Sequence, residues 1–133
     1  MKLKYHFLFI AFLIIFTSCK KNKSETLIVG TWLRTQQSTE YNGQTYDTPI
    51  SGVNTITYES CSGNDEWCPA QNVYDGNTNN IEYQISDDGD ILYSRNIGAS
   101  QQQTLNILEL TESDLQLSTS QQGSTTVITY VKQ

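Results

Sequence analysis

The chain has 133 residues, with 14 acidic side chains against 8 basic ones, a net charge of −6, one His and three Cys. That length holds one domain, and the acidic balance argues against nucleic-acid binding, where Lys and Arg supply most of the affinity by neutralising phosphates. Reading from the start, Lys2 and Lys4 precede an unbroken apolar run from Phe7 to Phe16. A run of about ten apolar residues is too short to span a bilayer and has the length of a signal-peptide core.

The run ends in Phe16-Thr17-Ser18-Cys19, small residues before a Cys that resemble a bacterial lipobox. The resemblance implies cleavage before Cys19, diacylglycerol on its sulfur and acylation (palmitate-type chains) of its new amino group. Phe16 stands where such signals usually have Leu. No acidic residue follows directly after Cys19, which by the same resemblance implies the outer membrane rather than the inner one. The expected organisation is a signal peptide at 1–18, a lipidated tether at 19–26 and a β-barrel domain at 27–133. Cutting there removes every Phe, the one Met and the one His, His6, and leaves six basic residues against 14 acidic, a net charge of −8. Several acyl chains anchor stably without a basic patch. Lys20, Lys21 and Lys23 are read either as lying on anionic headgroups or as part of a solvated linker.

Beyond the tether, short apolar-rich runs alternate with turn residues, and no run keeps helical spacing for long. Strands are predicted near Leu27–Gln36, Gln44–Asp47, Val53–Glu59, Asn72–Tyr74, Ile81–Ile85, Ile91–Arg95, Thr104–Thr111, Leu115–Thr119 and Thr125–Lys132. Asn42-Gly43 suits a type I′ hairpin, since both residues tolerate positive φ. Ser86 to Asp90, Thr111 to Asp114 and Gln121-Gln122-Gly123 mark further turns. Eight or nine short strands with tight links predict an all-β antiparallel meander, closed as a barrel or folded as a two-sheet sandwich. After Cys19 the core draws on 22 Leu, Ile and Val, two Trp and seven Tyr.

Three segments resemble bacterial lipocalin-like lipoproteins. Ile28-Val29-Gly30-Thr31-Trp32 resembles the G-x-W signature of their first strand. Tyr83 to Gly89 followed by Ile91-Leu92 resembles their middle hairpin, and Ile107 to Ser118 their late one, with Thr129 to Lys132 as the final strand. The match is poor between Tyr41 and Asn80. The resemblance implies an up-and-down barrel of about eight strands, closed at one end by Gly30 and Trp32, with Lys132 where the family usually has Arg. It also implies a small hydrophobic or amphipathic ligand. Eight strands leave an interior either filled or just able to hold one small molecule.

No His remains after the leader, so neither a Ser-His-Asp arrangement nor a usual zinc site can be built. No metal, cofactor or enzymatic activity is expected, and the acidic residues fall mainly in turns rather than as a marked catalytic pair. Cys61 and Cys68, the remaining thiols of a chain expected to leave the cytosol, are expected to pair as a disulfide. Their loop carries Trp67, which with Tyr74, Tyr83 and Tyr93 makes the candidate ligand-binding set, because aromatic rings beside amides suit an amphipathic molecule or a sugar. Asp75-Gly76-Asn77-Thr78-Asn79 echoes a calcium loop but lacks Gly at the sixth place and Glu at the twelfth. The reading is therefore a monomeric, non-enzymatic envelope lipoprotein carrying a small amphipathic ligand. The alternative is a glycan- or protein-recognition module with a filled barrel, acting through the Cys61–Cys68 loop.

Overall fold

The computed structural model describes residues 20–62 and 66–133. The leader, with Cys19 and His6, lies outside the described residues, as do residues 63–65. The first described element corrects the sequence reading. Residues 20–28, expected as a tether leading into a strand, form a helix, α1. Its buried side is polar apart from Ile28: Ser24 and Ile28 are buried, with Lys21 and Glu25 half-buried between them at helical spacing. A search for apolar periodicity passes over such a face.

Nine strands follow: β1 Gly30–Tyr41, β2 Gln44–Asp47, β3 Thr55–Tyr58, β4 Cys68–Tyr74, β5 Asn77–Ile85, β6 Ile91–Asn96, β7 Gln103–Leu110, β8 Asp114–Gln121 and β9 Ser124–Lys132. From β3 onward each strand pairs antiparallel with the next, and β9 returns to β1, from Trp32↔Lys132 to Tyr41↔Ser124. This closes an eight-stranded up-and-down barrel, the fold class that the sequence predicts. The second edge of β1 is shared. Its first part pairs with β3 (Gly30↔Tyr58 to Leu33↔Thr55) and its last part with β2 (Ser38↔Asp47 to Tyr41↔Gln44). The segment between them, 48–54, is held by Arg34 N–H donating to Asn54 O at 2.9 Å and Thr48 N–H donating to Gln37 O at 2.8 Å.

Three hairpins at one end use two-residue turns with positive φ at both positions: Asn42-Gly43, Asp75-Gly76 and Gln122-Gly123. That geometry matches the right-handed twist of the flanking strands. The first was predicted; the second, read for its calcium-like spacing, is a hairpin turn. Strand boundaries differ most at β1, which runs from Gly30 to Tyr41 rather than from Leu27 to Gln36, and in the middle of the chain. There β4 begins at Cys68 rather than Asn72, and β5 at Asn77 rather than Ile81. The residues added to β5 are polar and exposed on both faces, and those added to β4 alternate only between the small buried Cys68 and Ala70 and exposed Pro69 and Gln71, a weak apolar contrast.

The core fills the other end. Trp32, Leu92 and Leu115 are fully buried, with Tyr58, Tyr83, Ile85 and Leu117 almost so. Tyr58 and Tyr83 meet edge to face at 4.9 Å, and the Tyr83 hydroxyl donates to Glu59 O at 2.7 Å. α1 closes the floor beneath them. Trp32 Nε1 donates to Ile28 O at 2.7 Å, and Lys132 Nζ donates to Leu27 O at 3.0 Å while standing 4.9 Å from the Trp32 ring centroid.

Gly30 carries the chain out of α1 at φ +134°, and a Cβ there would stand 2.6 Å from Lys132 Cε. Gly30→Ala therefore strains the backbone and pushes the ammonium away from its carbonyl. A loss of about 1–3 kcal/mol is expected in urea unfolding, and an unchanged midpoint would show that the floor tolerates the displacement.

The open half of the barrel as candidate site

Directly opposite residues of an antiparallel ladder share a face, and faces alternate along each strand. The inner face can therefore be followed around the barrel from Trp32. Its row runs Trp32↔Ile56, Ile56↔Asn72 and Asn72↔Asn79. Because barrel strands are tilted, that row climbs from a fully buried indole to two exposed amides. The same happens elsewhere on the inner face. Leu92 faces buried Leu105, while one step higher Ser94 faces exposed Gln103; buried Ile81 faces exposed Asn96. An inner-face residue of a closed barrel reaches solvent through a mouth. The lower half is filled and the upper half is an open cup.

Strands this polar hold their register through cross-strand side-chain hydrogen bonds. On the inner face Thr39 and Thr126 hydroxyls meet at 3.0 Å, and Asn79 Nδ2 donates to Asn96 Oδ1 at 3.2 Å. Gln44 and Tyr46 share this face above Thr39, joined by the Tyr46 hydroxyl donating to Gln44 Oε1 at 2.6 Å. Tyr41, Tyr46 and Tyr74 form an aromatic rim at the mouth, each about half exposed. The bulge in β1 between Arg34 and Gln36 keeps both Arg34 and Gln37 on the inner face, opposite Tyr130 and Ile128. Among the described strand residues, Arg34 and Lys132 are the only charged side chains at inner-face positions. Lys132 is committed to the floor. Arg34 is not: its Nε is buried and has no protein partner.

The four residues singled out from sequence as ligand contacts do not form one site. Tyr74 stands on the rim and Tyr83 is sealed in the core. Tyr93, next to inward Leu92, faces out with Gln84 and Thr104. Trp67 packs on the outer wall, its ring 3.8 Å from the Arg95 guanidinium carbon, and Arg95 Nε pairs with Glu82 Oε1 at 2.6 Å. The Cys61–Cys68 disulfide forms as expected, with Cα atoms 4.7 Å apart. It borders the closed end, where a cleft of about 470 Å³ runs between α1 (Asn22, Glu25, Thr26) and Ser60–Cys61. Sequence reasoning missed Arg34 and Asn54. Arg34 was within reach, since two residues beyond Trp32 on one strand is the same face.

The buried tyrosines resist ionisation. Burial raises Tyr58 well above the ordinary value, with smaller contributions from Tyr130 and Tyr83. Burial also pushes Tyr83 up to about 12 and raises Tyr130, against which the Arg34 charge acts in the opposite direction. A phenol harder to deprotonate when folded contributes stability that is fully present below its unfolded pKa of about 10 and is lost as pH rises through the folded value. The fold should therefore hold to about pH 10 and lose stability between there and about pH 12. Absorbance at 295 nm against near-ultraviolet circular dichroism checks this; Tyr58 and Tyr83 ionising near pH 10 with the fold intact would contradict it.

Among known proteins, no family model matches this chain and no curated protein resembles it at a significant level.

Proposed function

We propose that this protein is a lipoprotein of the cell envelope, anchored through acyl chains on Cys19, whose lipocalin-like barrel takes a small amphipathic molecule into its upper half. One observation carries the reading: the inner face divides into a sealed apolar floor and a solvent-reached cup of amides, hydroxyls and tyrosines. An amphipathic ligand matches both parts, with its apolar portion against Ile56, Ile107 and Ile128 and its polar portion against the polar side chains of the inner face. No helix among the described residues is long and apolar enough to cross a membrane; the lipid anchor in this reading rests on the lipobox-like Phe16-Thr17-Ser18-Cys19. The proposal includes a non-enzymatic, monomeric protein without nucleic-acid partners, placed in the outer membrane.

In this reading the anchor lies next in sequence to α1, which is described from Lys20 and lies across the closed end; the floor would then face the bilayer and the mouth away from it. Two of the lysines read as lying on headgroups or in a solvated linker are used within the protein: Lys20 pairs with Asp90 at 2.5 Å and Lys21 with Asp87 at 3.0 Å. The alternative, recognition of a glycan or protein through the Cys61–Cys68 loop, has the cleft beside α1 in its favour. Against it, Trp67 is engaged by Arg95.

A neutral fluorescent amphiphile should show saturable uptake with enhanced emission. Thr39→Trp, which plugs the mouth opposite Thr126, should weaken uptake at least about tenfold without loss of fold. Absence of saturable uptake by the unaltered protein would sink the carrier reading. Separately, Cys19→Ser should move the protein from the membrane to the soluble fraction, and continued membrane retention would contradict lipid anchoring.

A further inference from the structure

We infer that Arg34 and Asn54 form the polar end of the ligand site, and that the ligand taken into the cup carries an anionic oxygen head such as a carboxylate. The inference rests on the carrier reading and adds the charge of its cargo. It starts from two atoms. Arg34 Nε and Asn54 Oδ1 are buried, and neither has a hydrogen-bond partner in the protein. They belong to backbone neighbours, joined by Arg34 N–H donating to Asn54 O at 2.9 Å. Asn54 precedes inward Ile56 by two residues, so its side chain shares the inner face with Arg34. One orphan is a charged donor and the other a neutral acceptor.

Such groups are costly to leave unmatched, the charged one most of all. Their surroundings offer Arg34 no anion. The three ion pairs among the described residues are Lys20–Asp90, Lys21–Asp87 and Arg95–Glu82, and all lie elsewhere. The inner face above Arg34 is uncharged, a surface of amides, hydroxyls and tyrosines. The net charge of the protein is negative, so a free anion gains nothing from the outer surface as a whole. A single uncommitted cation beneath an uncharged inner wall thus selects by head group. An acid brings the missing acceptor to the guanidinium, with a charge-assisted hydrogen bond of the stronger kind. A hydroxyl or protonated oxygen on the same head meets Asn54 Oδ1. Tyr130, directly opposite Arg34, supplies an aromatic wall beside the head.

The test compares two molecules differing only in head group. Displacement of the neutral dye N-phenylnaphthylamine from the full chain is measured with dodecanoate and with dodecanol at neutral pH. Dodecanoate should displace the dye at a concentration about tenfold lower or more. Arg34→Gln should bring the two curves together. Arg34→Lys should keep part of the difference, since the charge remains while the planar donor fork is lost. Asn54→Asp provides a variant that leaves Arg34 in place: the new carboxylate occupies the guanidinium, so dodecanoate should lose its advantage while dodecanol is unaffected. Equal displacement by both molecules in the unaltered protein, or an acid preference surviving both Arg34→Gln and Asn54→Asp, would overturn the inference and leave a carrier of neutral amphiphiles. Failure to take up the dye at all would remove the carrier reading, and the assignment of Arg34 with it.

Discussion

The last turn of α1 is the constraint on which the barrel depends. A helix ends with carbonyls that have no partner within it, at the negative end of its dipole. Here two of them are met from the barrel: Ile28 O accepts from the Trp32 indole, and Leu27 O from the Lys132 ammonium. Lys132 lies at the end of β9 and Trp32 near the start of β1, paired directly across the seam that closes the barrel. The same side chains therefore join first strand to last and both to the helix. Hydrogen bonds to charged groups contribute about 1.5–3 kcal/mol each, and the ammonium also rests near the indole ring. Gly30 makes the arrangement possible, because the chain must leave the helix at positive φ with no side chain between it and Lys132.

With the floor fixed, the supply of apolar residues decides how far up the barrel is filled. The 22 aliphatics after Cys19 are shared between an inner face on eight strands, a helix and some outer positions. They suffice for the lower half. Above it the inner positions pass to Asn, Gln, Thr and Tyr, which the protein stabilises by pairing them with one another across strands. The acidic side chains cluster at the closed end, where Asp87 and Asp90 of the β5–β6 turn receive Lys21 and Lys20, and Ser24 Oγ donates to Gly89 O at 3.1 Å. The two ends of the barrel thus differ in chemistry: ion-paired and sealed below, open above with an uncharged inner wall.

The barrel itself was legible in the sequence because its lower half obeys the alternation rule. Ile81, Tyr83 and Ile85 point in and Glu82 and Gln84 do not, and Asn42-Gly43 has one good use. What escaped detection is what lacks apolar contrast. α1 has apolar burial only at its last turn, with Ile28 buried and Leu27 half-buried, while Ser24, Lys21 and Glu25 make the rest of its inner side, and the upper strands are largely polar on both faces. The four residues singled out as ligand contacts do not come together for a related reason. Trp67 and the disulfide are chemically conspicuous, yet the ring is matched to Arg95 on the outer wall. Arg34 is inconspicuous, since a basic residue in a strand looks like a solvated one until Trp32 fixes which face is inside. Asn54 could not be placed at all, because the register of 48–54 follows from two backbone hydrogen bonds to β1 that no local pattern announces.

The separation of ends also settles what the disulfide does for the carrier reading. A bridge closing so short a loop constrains the unfolded chain only modestly, by about 2–3 kcal/mol in chain-entropy terms. Its location matters more than that amount. Cys68 is buried in the core and Cys61 packs against it from the loop beside α1, so the bridge ties the connection between β3 and β4 to the strands under which the helix docks. Among the described residues, the helix, the Lys20–Asp90 and Lys21–Asp87 pairs and the disulfide are gathered at the closed end. The open end is held by two-residue hairpin turns and by hydrogen bonds between neutral inner-face side chains, so the parts that hold the barrel shut are separate from its mouth.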